Sequence, residues 1–214
     1  MIYYFSGTGN SRTVAQCLGQ LLERDVADMS ATQQIPDLGF TKSLGLVFPV
    51  YAWGLPDVVE QFVSRLHLLA EDVYVWAVMT CGDDMGYADA ILDKCLYRAS
   101  GRHVQSLYSV PMPNTYVCLP GFDVDAPEVA SAKVEHTRNF LPAIARGIHV
   151  QAKECNVVRG AFPWLKTYVL RPLFNRFLLT DRYFYADSRL CARCGLCVKQ
   201  CPTGNIRLSK NGVQ

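Results

Sequence analysis

The sequence predicts a doubly wound α/β fold: a five-stranded parallel sheet with helices on both faces, followed by a small cysteine-rich segment. Three observations predict it. Short apolar runs alternate with stretches of helical periodicity along the first two-thirds of the chain. Those runs are apolar throughout rather than every second residue, as strands buried on both faces must be. Four closely spaced cysteines, Cys191, Cys194, Cys197 and Cys201, lie beyond the last of these units.

The elements follow in order. Residues 1–5 (MIYYF) read as a buried strand, and residues 10–23 as a helix with Val14, Ala15, Leu18, Leu21 and Leu22 on one face. A short, weak strand is expected near 25–29. Residues 44–50 (LGLVFPV) form the third strand, and 55–69 a helix with Pro56 in its first turn. Residues 73–79 (VYVWAVM) carry the strongest strand signal. A helix at 85–99, a strand at 104–110 and a helix at 126–146 complete the set. The resulting strand order is 2-1-3-4-5, the flavodoxin-like arrangement, whose ligands bind beyond the carboxyl ends of the strands. Residues 162–180 (FPWLKTYVLRPLFNRFLLT) differ. Large apolar side chains are interspersed with Lys166, Arg171 and Arg176, and Pro172 is expected to break or kink the helix. Three divisions result: a sheet domain at 1–150, an aromatic and basic helical linker at 151–186, and the cysteine segment at 187–214.

Composition narrows the function classes. Half of the 214 residues are apolar and the formal net charge is +2, which makes no general case for nucleic-acid binding. The opening MIYYFSGTGNS has none of the parts of a signal peptide. No apolar stretch reaches the roughly 18 residues of a spanning helix. Nine cysteines without a pairing rhythm argue against a disulfide scaffold and for a reducing cytoplasm. Cys17, Cys81, Cys95, Cys118 and Cys155 are expected to be mostly small buried hydrophobes. The aromatic and basic linker could touch a membrane surface, but burial against the sheet domain is the preferred reading.

The turns after the strands carry the chemistry. Ser6-Gly7-Thr8-Gly9-Asn10-Ser11 leads from the first strand into a helix. Its glycines permit a tight turn, the helix start favours an anion, and the Ser, Thr and Asn side chains add neutral donors. This suits a phosphate cradle without a lysine, distinct from the nucleotide loop G-x4-G-K-[ST], or else an ordinary capped strand-to-helix turn. Pro49-Val50-Tyr51-Ala52-Trp53-Gly54 follows the third strand and offers two aromatics for stacking, or as a cover for the core. Thr80-Cys81-Gly82-Asp83-Asp84-Met85-Gly86 follows the fourth. Its glycines let backbone approach a heterocycle, while Asp83 and Asp84 could instead be helix-start acids. Pro111 to Tyr116 follows the fifth and suits a lid or a plain loop.

The cysteines fit C-x2-C-x2-C-x3-C-P at every position, with Pro202 after the last. Thiolates at these spacings suit an iron–sulfur cluster, with zinc as the chemical competitor. His67, His103, His136 and His149 are scattered, and no catalytic triad or acid pair is evident.

Taken together, the Ser6 to Ser11 turn, the YAWG and TCGDDMG loops, the PMPNTY segment and the cysteine run resemble the fused flavodoxin–ferredoxin family of anaerobic bacteria and archaea. The resemblance spans essentially the whole chain. It implies that Ser6, Thr8, Gly9, Asn10 and Ser11 hold the phosphate of FMN, with Arg12 either adjacent to it or a solvated helix residue. Tyr51 and Trp53, within Pro49 to Gly54, would flank the isoalloxazine. Thr80, Cys81, Gly82, Asp83, Met85 and Gly86 would meet its polar edge. Cys191, Cys194, Cys197 and Cys201 would ligate a 4Fe-4S cluster in a partial bacterial-type ferredoxin segment. Family members carry a second cysteine run after a hairpin. Here Asn211-Gly212 signals the turn and the sequence ends soon after, so a truncated chain is expected. Four thiols on one cluster, a three-iron cluster and an empty motif all remain open. The functional expectation is electron transfer between FMN and the cluster in anaerobic redox metabolism, with a ferredoxin-type or reductase redox partner protein. The alternatives are an FMN-dependent reductase of a quinone or other small acceptor, and a noncatalytic partner-binding module.

Overall fold

The computed structural model describes residues 1–32, 42–66, 72–117, 122–180, 186–187, 189–209 and the strand backbone at 212–213. Strands β1 (Ile2–Tyr4), β2 (Val26–Asp28), β3 (Ser43–Pro49), β4 (Tyr74–Cys81), β5 (Ser106–Pro111) and β6 (Cys155–Asn156) form one parallel sheet in the order β2-β1-β3-β4-β5-β6. The first five stand in the flavodoxin-like order that the sequence predicts. The sixth corrects the expected count of five. It pairs with β5 through Leu107↔Cys155 and Tyr108↔Asn156. Two exposed residues have no periodicity to betray them, and only the partner strand makes them a strand.

Side chains of the central strands alternate between two buried faces. Leu46 and Phe48 of β3, with Val75, Ala77 and Met79 of β4, pack under α2 (Asp57–Ser64) and α3 (Ala88–Ser100). Val47, Trp76 and Val78 face the other way, under α1 (Asn10–Leu22) and α4 (Pro127–His149). Period-two side chains with helices on both faces therefore read as a continuous apolar run. Gly45 has a packing reason: the Trp76 ring occupies the space its side chain would need.

Helix bounds shift where turns intrude. The third helix starts at Ala88 rather than 85, because residues 82–87 form a turn whose Met85 plugs the core. The expected end of the second helix falls among residues 67–71, outside the described residues.

After β6 come α5 (Pro163–Leu165), a π-helical turn (Lys166–Leu170) and α6 (Arg171–Phe177), which follow one another without a gap. The expected break at Pro172 does not occur. Pro172 follows the π-helical turn directly, and the wider bond spacing of that turn accommodates its ring and missing N–H. The cysteine segment holds α7 (Leu196–Gln200) and an antiparallel pair, β7 (Leu208–Ser209) with β8 (Gly212–Val213). Among the described residues, no helix is long and apolar enough to cross a membrane.

Candidate functional site

The turns after β1, β3, β4 and β5 converge beyond the carboxyl ends of the strands and line one cavity of about 570 Å³. From the first turn, Ser6, Thr8, Asn10 and Ser11 line it. Gly9 does not. It caps α1 at φ 103°, and its N–H donates to Ser6 Oγ at 3.0 Å. The first turn of α1 carries no acidic residue, so the helix start keeps its attraction for an anion. Asn10 Nδ2 donates to the Pro113 carbonyl at 3.0 Å. Ser11 is buried and its hydroxyl lies 2.8 Å from Thr80 Oγ1, tying this turn to β4. Arg12 is exposed and lies outside the lining.

From the second turn, Pro49, Val50, Tyr51, Ala52 and Trp53 line the cavity. Tyr51 and Gly54 close the turn with reciprocal backbone bonds of 3.0 and 3.1 Å. Ala52 and Trp53 sit at φ 44° and 56°. Left-handed backbone at non-glycine residues costs on the order of 1–3 kcal/mol each, so something must hold it. Gly54 does not line the cavity; the Arg171 guanidinium fills the space beside it.

From the third turn, Thr80, Cys81, Gly82, Asp83 and Asp84 line the cavity, while Met85 and Gly86 do not. Met85 is fully buried, and Gly86 at φ 57° packs against Trp53 and Thr167. Burial, reinforced by Asp84 and Asp83, pushes the Cys81 thiol up to about 12, which makes it a packing group rather than a nucleophile. The aspartates do not cap α3. Asp84 pairs with Lys166 Nζ at 2.5 Å, and Asp83 lies 3.4 Å from Lys133 Nζ.

From the fourth turn, Met112 to Tyr116 line the cavity. The Asn114 N–H donates to Asp125 Oδ2 at 2.9 Å, and Lys133 reaches the same oxygen at 2.7 Å. The Lys133 ammonium and this N–H hold the Asp125 carboxyl below its ordinary value.

Sequence reasoning missed a fifth wall. Phe122, Lys166, Phe174 and Leu179 also line the cavity. Tyr116 meets Phe122 and Phe174 with ring centroids 5.6 and 6.0 Å apart, and Lys166 Nζ lies 5.8 Å above the Trp53 ring. The one signal for the last three was the aromatic and basic composition of 162–180.

In the cysteine segment, Cys194 and Cys197 are exposed, and Cys191 and Cys201 half-buried. Gly195, at φ 70°, turns the chain into α7. Hydrogen bonding to Thr203 lowers the Cys201 thiol to about 7, toward the thiolate that binds metals. Among the described residues, no three His, Cys, Asp or Glu side chains gather to hold a metal ion. The donor set suits a cluster, but its present arrangement does not form the ligand cage. Elsewhere Cys81 is buried, Cys17 and Cys95 are half-buried and Cys155 is exposed, so the scattered cysteines are less buried than expected. Cys118 lies outside the described residues. His103 pairs with Asp93 at 2.8 Å and His136 stacks on Phe140; neither lines the cavity. His67 is outside the described residues.

Residues 184–207 match the family described as a 4Fe-4S binding domain. Comparison with curated proteins gives no match. Among solved structures, the chain is similar to a flavodoxin from Streptococcus pneumoniae TIGR4, at 18% identity and a TM-score of 0.41, over 67% of this chain and 97% of that one. It is similar to the Trp repressor binding protein from Bacillus subtilis, at 10% identity and 0.45, over 66% and 96%. It is also similar to an NAD(P)H:quinone oxidoreductase from Methanothermobacter marburgensis, at 12% and 0.42, over 67% and 94%. The strand order, rather than these distant likenesses, establishes the flavodoxin-like fold.

Proposed function

We propose that this protein is an electron-transfer flavoprotein that binds FMN in the sheet-edge cavity and carries an iron–sulfur module in its cysteine run. The convergence of the four turns on one cavity carries the reading. FMN joins an anionic phosphate to a flat heterocycle, and the lining matches both parts. The start of α1 with Ser6, Thr8 and Asn10 suits the phosphate. Tyr51 and Trp53 offer rings for stacking, and the backbone around Gly82 meets a polar edge. Gly9, Gly54, Met85 and Gly86 act behind this lining, by shaping the turns. Ser11 acts through Thr80, by fixing the helix start against β4.

When bound, the flavin supplies one- and two-electron exchange. The chain's own part is to bind and orient it, and to exclude water with Trp53, Tyr116, Phe122 and Phe174. The spacing of Cys191, Cys194, Cys197 and Cys201 and the family match at 184–207 support a 4Fe-4S module over a zinc site. The pairing of β6 and the cavity lining support moving the start of the linker, so that residues 151–179 count with the sheet domain. A redox partner protein, of ferredoxin or reductase type, would complete the circuit.

Titration of the flavin-free full chain with FMN, followed by fluorescence quenching, tests the reading. Saturable binding at one FMN per chain is expected, with riboflavin weaker. A folded chain without affinity for FMN overturns it, and rapid reduction by NAD(P)H alone turns it toward a reductase.

A further inference from the structure

The turn at 51–54 is the most strained part of the cavity wall, and the residues that brace it come from more than a hundred positions away. Thr167 is buried within the π-helical turn. Its hydroxyl accepts the Tyr87 N–H at 2.8 Å and donates to the Trp53 carbonyl at 3.2 Å. One side chain thereby joins the turn after β3 to the turn after β4. Four residues on, Arg171 Nη2 donates to the Leu55 carbonyl at 2.9 Å and lies 3.4 Å from Glu60 Oε1. Its guanidinium stands where a side chain at position 54 would be. Lys166, beside Thr167, pairs with Asp84 on the third turn. The positive φ values at Ala52 and Trp53 belong to residues that do not favour them, and persist only where neighbours impose them.

We infer that Thr167 and Arg171 are positioning residues that hold the 51–54 turn in its cavity-lining conformation, so that docking of the 163–177 segment and occupancy of the cavity are coupled. Ligand that favours the braced turn favours the docked segment by the same factor, and docking returns that factor in affinity. The segment leads on toward the cysteine run, so the wall of one redox site and the tether of the other are the same piece of chain. The ligand part of the inference rests on the FMN reading; the bracing of the turn does not.

The test uses the full chain with Thr167→Val, which removes both hydrogen bonds at nearly constant volume, and Thr167→Ser, which keeps the hydroxyl. FMN and riboflavin are each titrated by fluorescence quenching, and amide exchange is followed with and without FMN. Thr167→Val is expected to weaken both ligands equally, by about tenfold, because the ring wall and not the phosphate cradle is disturbed. Thr167→Ser is expected to bind like the wild type. FMN should slow exchange across 163–177 in the wild type and Thr167→Ser, and not in Thr167→Val. Without ligand, the Gly54 amide, which donates to the Tyr51 carbonyl, should exchange faster in Thr167→Val alone. Wild-type affinity in Thr167→Val, a loss confined to FMN, or equal losses in Val and Ser overturns the inference. If the wild type binds neither flavin, the FMN reading fails, while exchange at Gly54 still decides whether Thr167 braces the turn. If Thr167→Val does not fold, Arg171→Gln is read by the same titrations and exchange, with equal weakening of both flavins expected and wild-type behaviour contradicting.

Discussion

The central sheet and the cysteine segment are held by different physics. In β3 and β4, Leu44, Leu46, Val47, Phe48, Val75, Trp76, Ala77, Val78 and Met79 are all fully buried. Among the described residues from 186 to 209, none is buried, and Leu190 is 85% exposed. The five-residue α7 is too short to persist on its own. Apolar burial shapes the first region whether or not a ligand is present. The second has thiols and turns and, among its described residues, no core; on the iron–sulfur reading, cluster assembly would supply its folding free energy. A variant that harms one should spare the other.

The largest effect belongs to the sheet. Trp76→Ala should destabilise the cooperative unfolding transition by about 3–5 kcal/mol, measured by chemical denaturation. Cys197→Ser should leave that transition in place while abolishing iron retention; coupled losses would merge the two regions.

Next is the strap from β6 to α3. Asp89 is 3% exposed and takes its cation from Arg159, whose Nε lies 3.1 Å away. Arg159→Ala leaves that carboxylate buried without its cation and should cost about 1–3 kcal/mol. Asp89→Asn in the same chain should recover part of the loss.

A ligand-level effect follows. Thr8 is exposed, so Thr8→Asp should fold normally while setting a carboxylate in the turn proposed to hold the phosphate. FMN affinity should fall at least about tenfold, or ~1.4 kcal/mol, with riboflavin unchanged. An equal loss of both would place the phosphate elsewhere.

The smallest effect is a pH dependence. The folded-state pKa of Asp125 is depressed below its ordinary 3.8. Its contribution is therefore present in full above the ordinary value and lost as pH falls through the lower folded one. The fourth turn should loosen only in that acid window. Asp125→Asn should flatten this acid dependence in FMN titrations and weaken binding slightly at neutrality, where the wild-type carboxylate contributes in full.

Legibility followed the same divide. Both-face burial in β3 and β4 leaves unbroken apolar runs, so their strands and order could be read directly. The cysteine spacing was equally plain, because ligand chemistry fixes residue type and interval. What escaped depends on tertiary pairing. β6 is two exposed residues made into a strand by β5. Lys166, Phe174 and Leu179 reach the cavity from a segment expected to be buried, yet Phe162, Trp164, Phe177 and Leu179 are well exposed, so composition gave neither its burial nor its place. The contact of the Ser11 hydroxyl with Thr80 spans 69 positions, and no local pattern announces it. The convergence of the turns at 6–11, 49–54 and 80–86 was legible because each follows a recognisable strand in this strand order. Division of labour within them was not: Gly9, Gly54, Met85 and Gly86 support the lining that their neighbours form.

The most direct measurement is a strictly anaerobic purification of the full chain, with one absorption spectrum and flavin, iron and acid-labile sulfide quantified on the same sample. Flavin bands with stoichiometric FMN, and about four irons with matching sulfide per chain, are expected. A folded chain that neither retains nor takes up FMN, or whose thiols hold zinc in place of iron, would contradict the pairing of a flavin cavity with an iron–sulfur module.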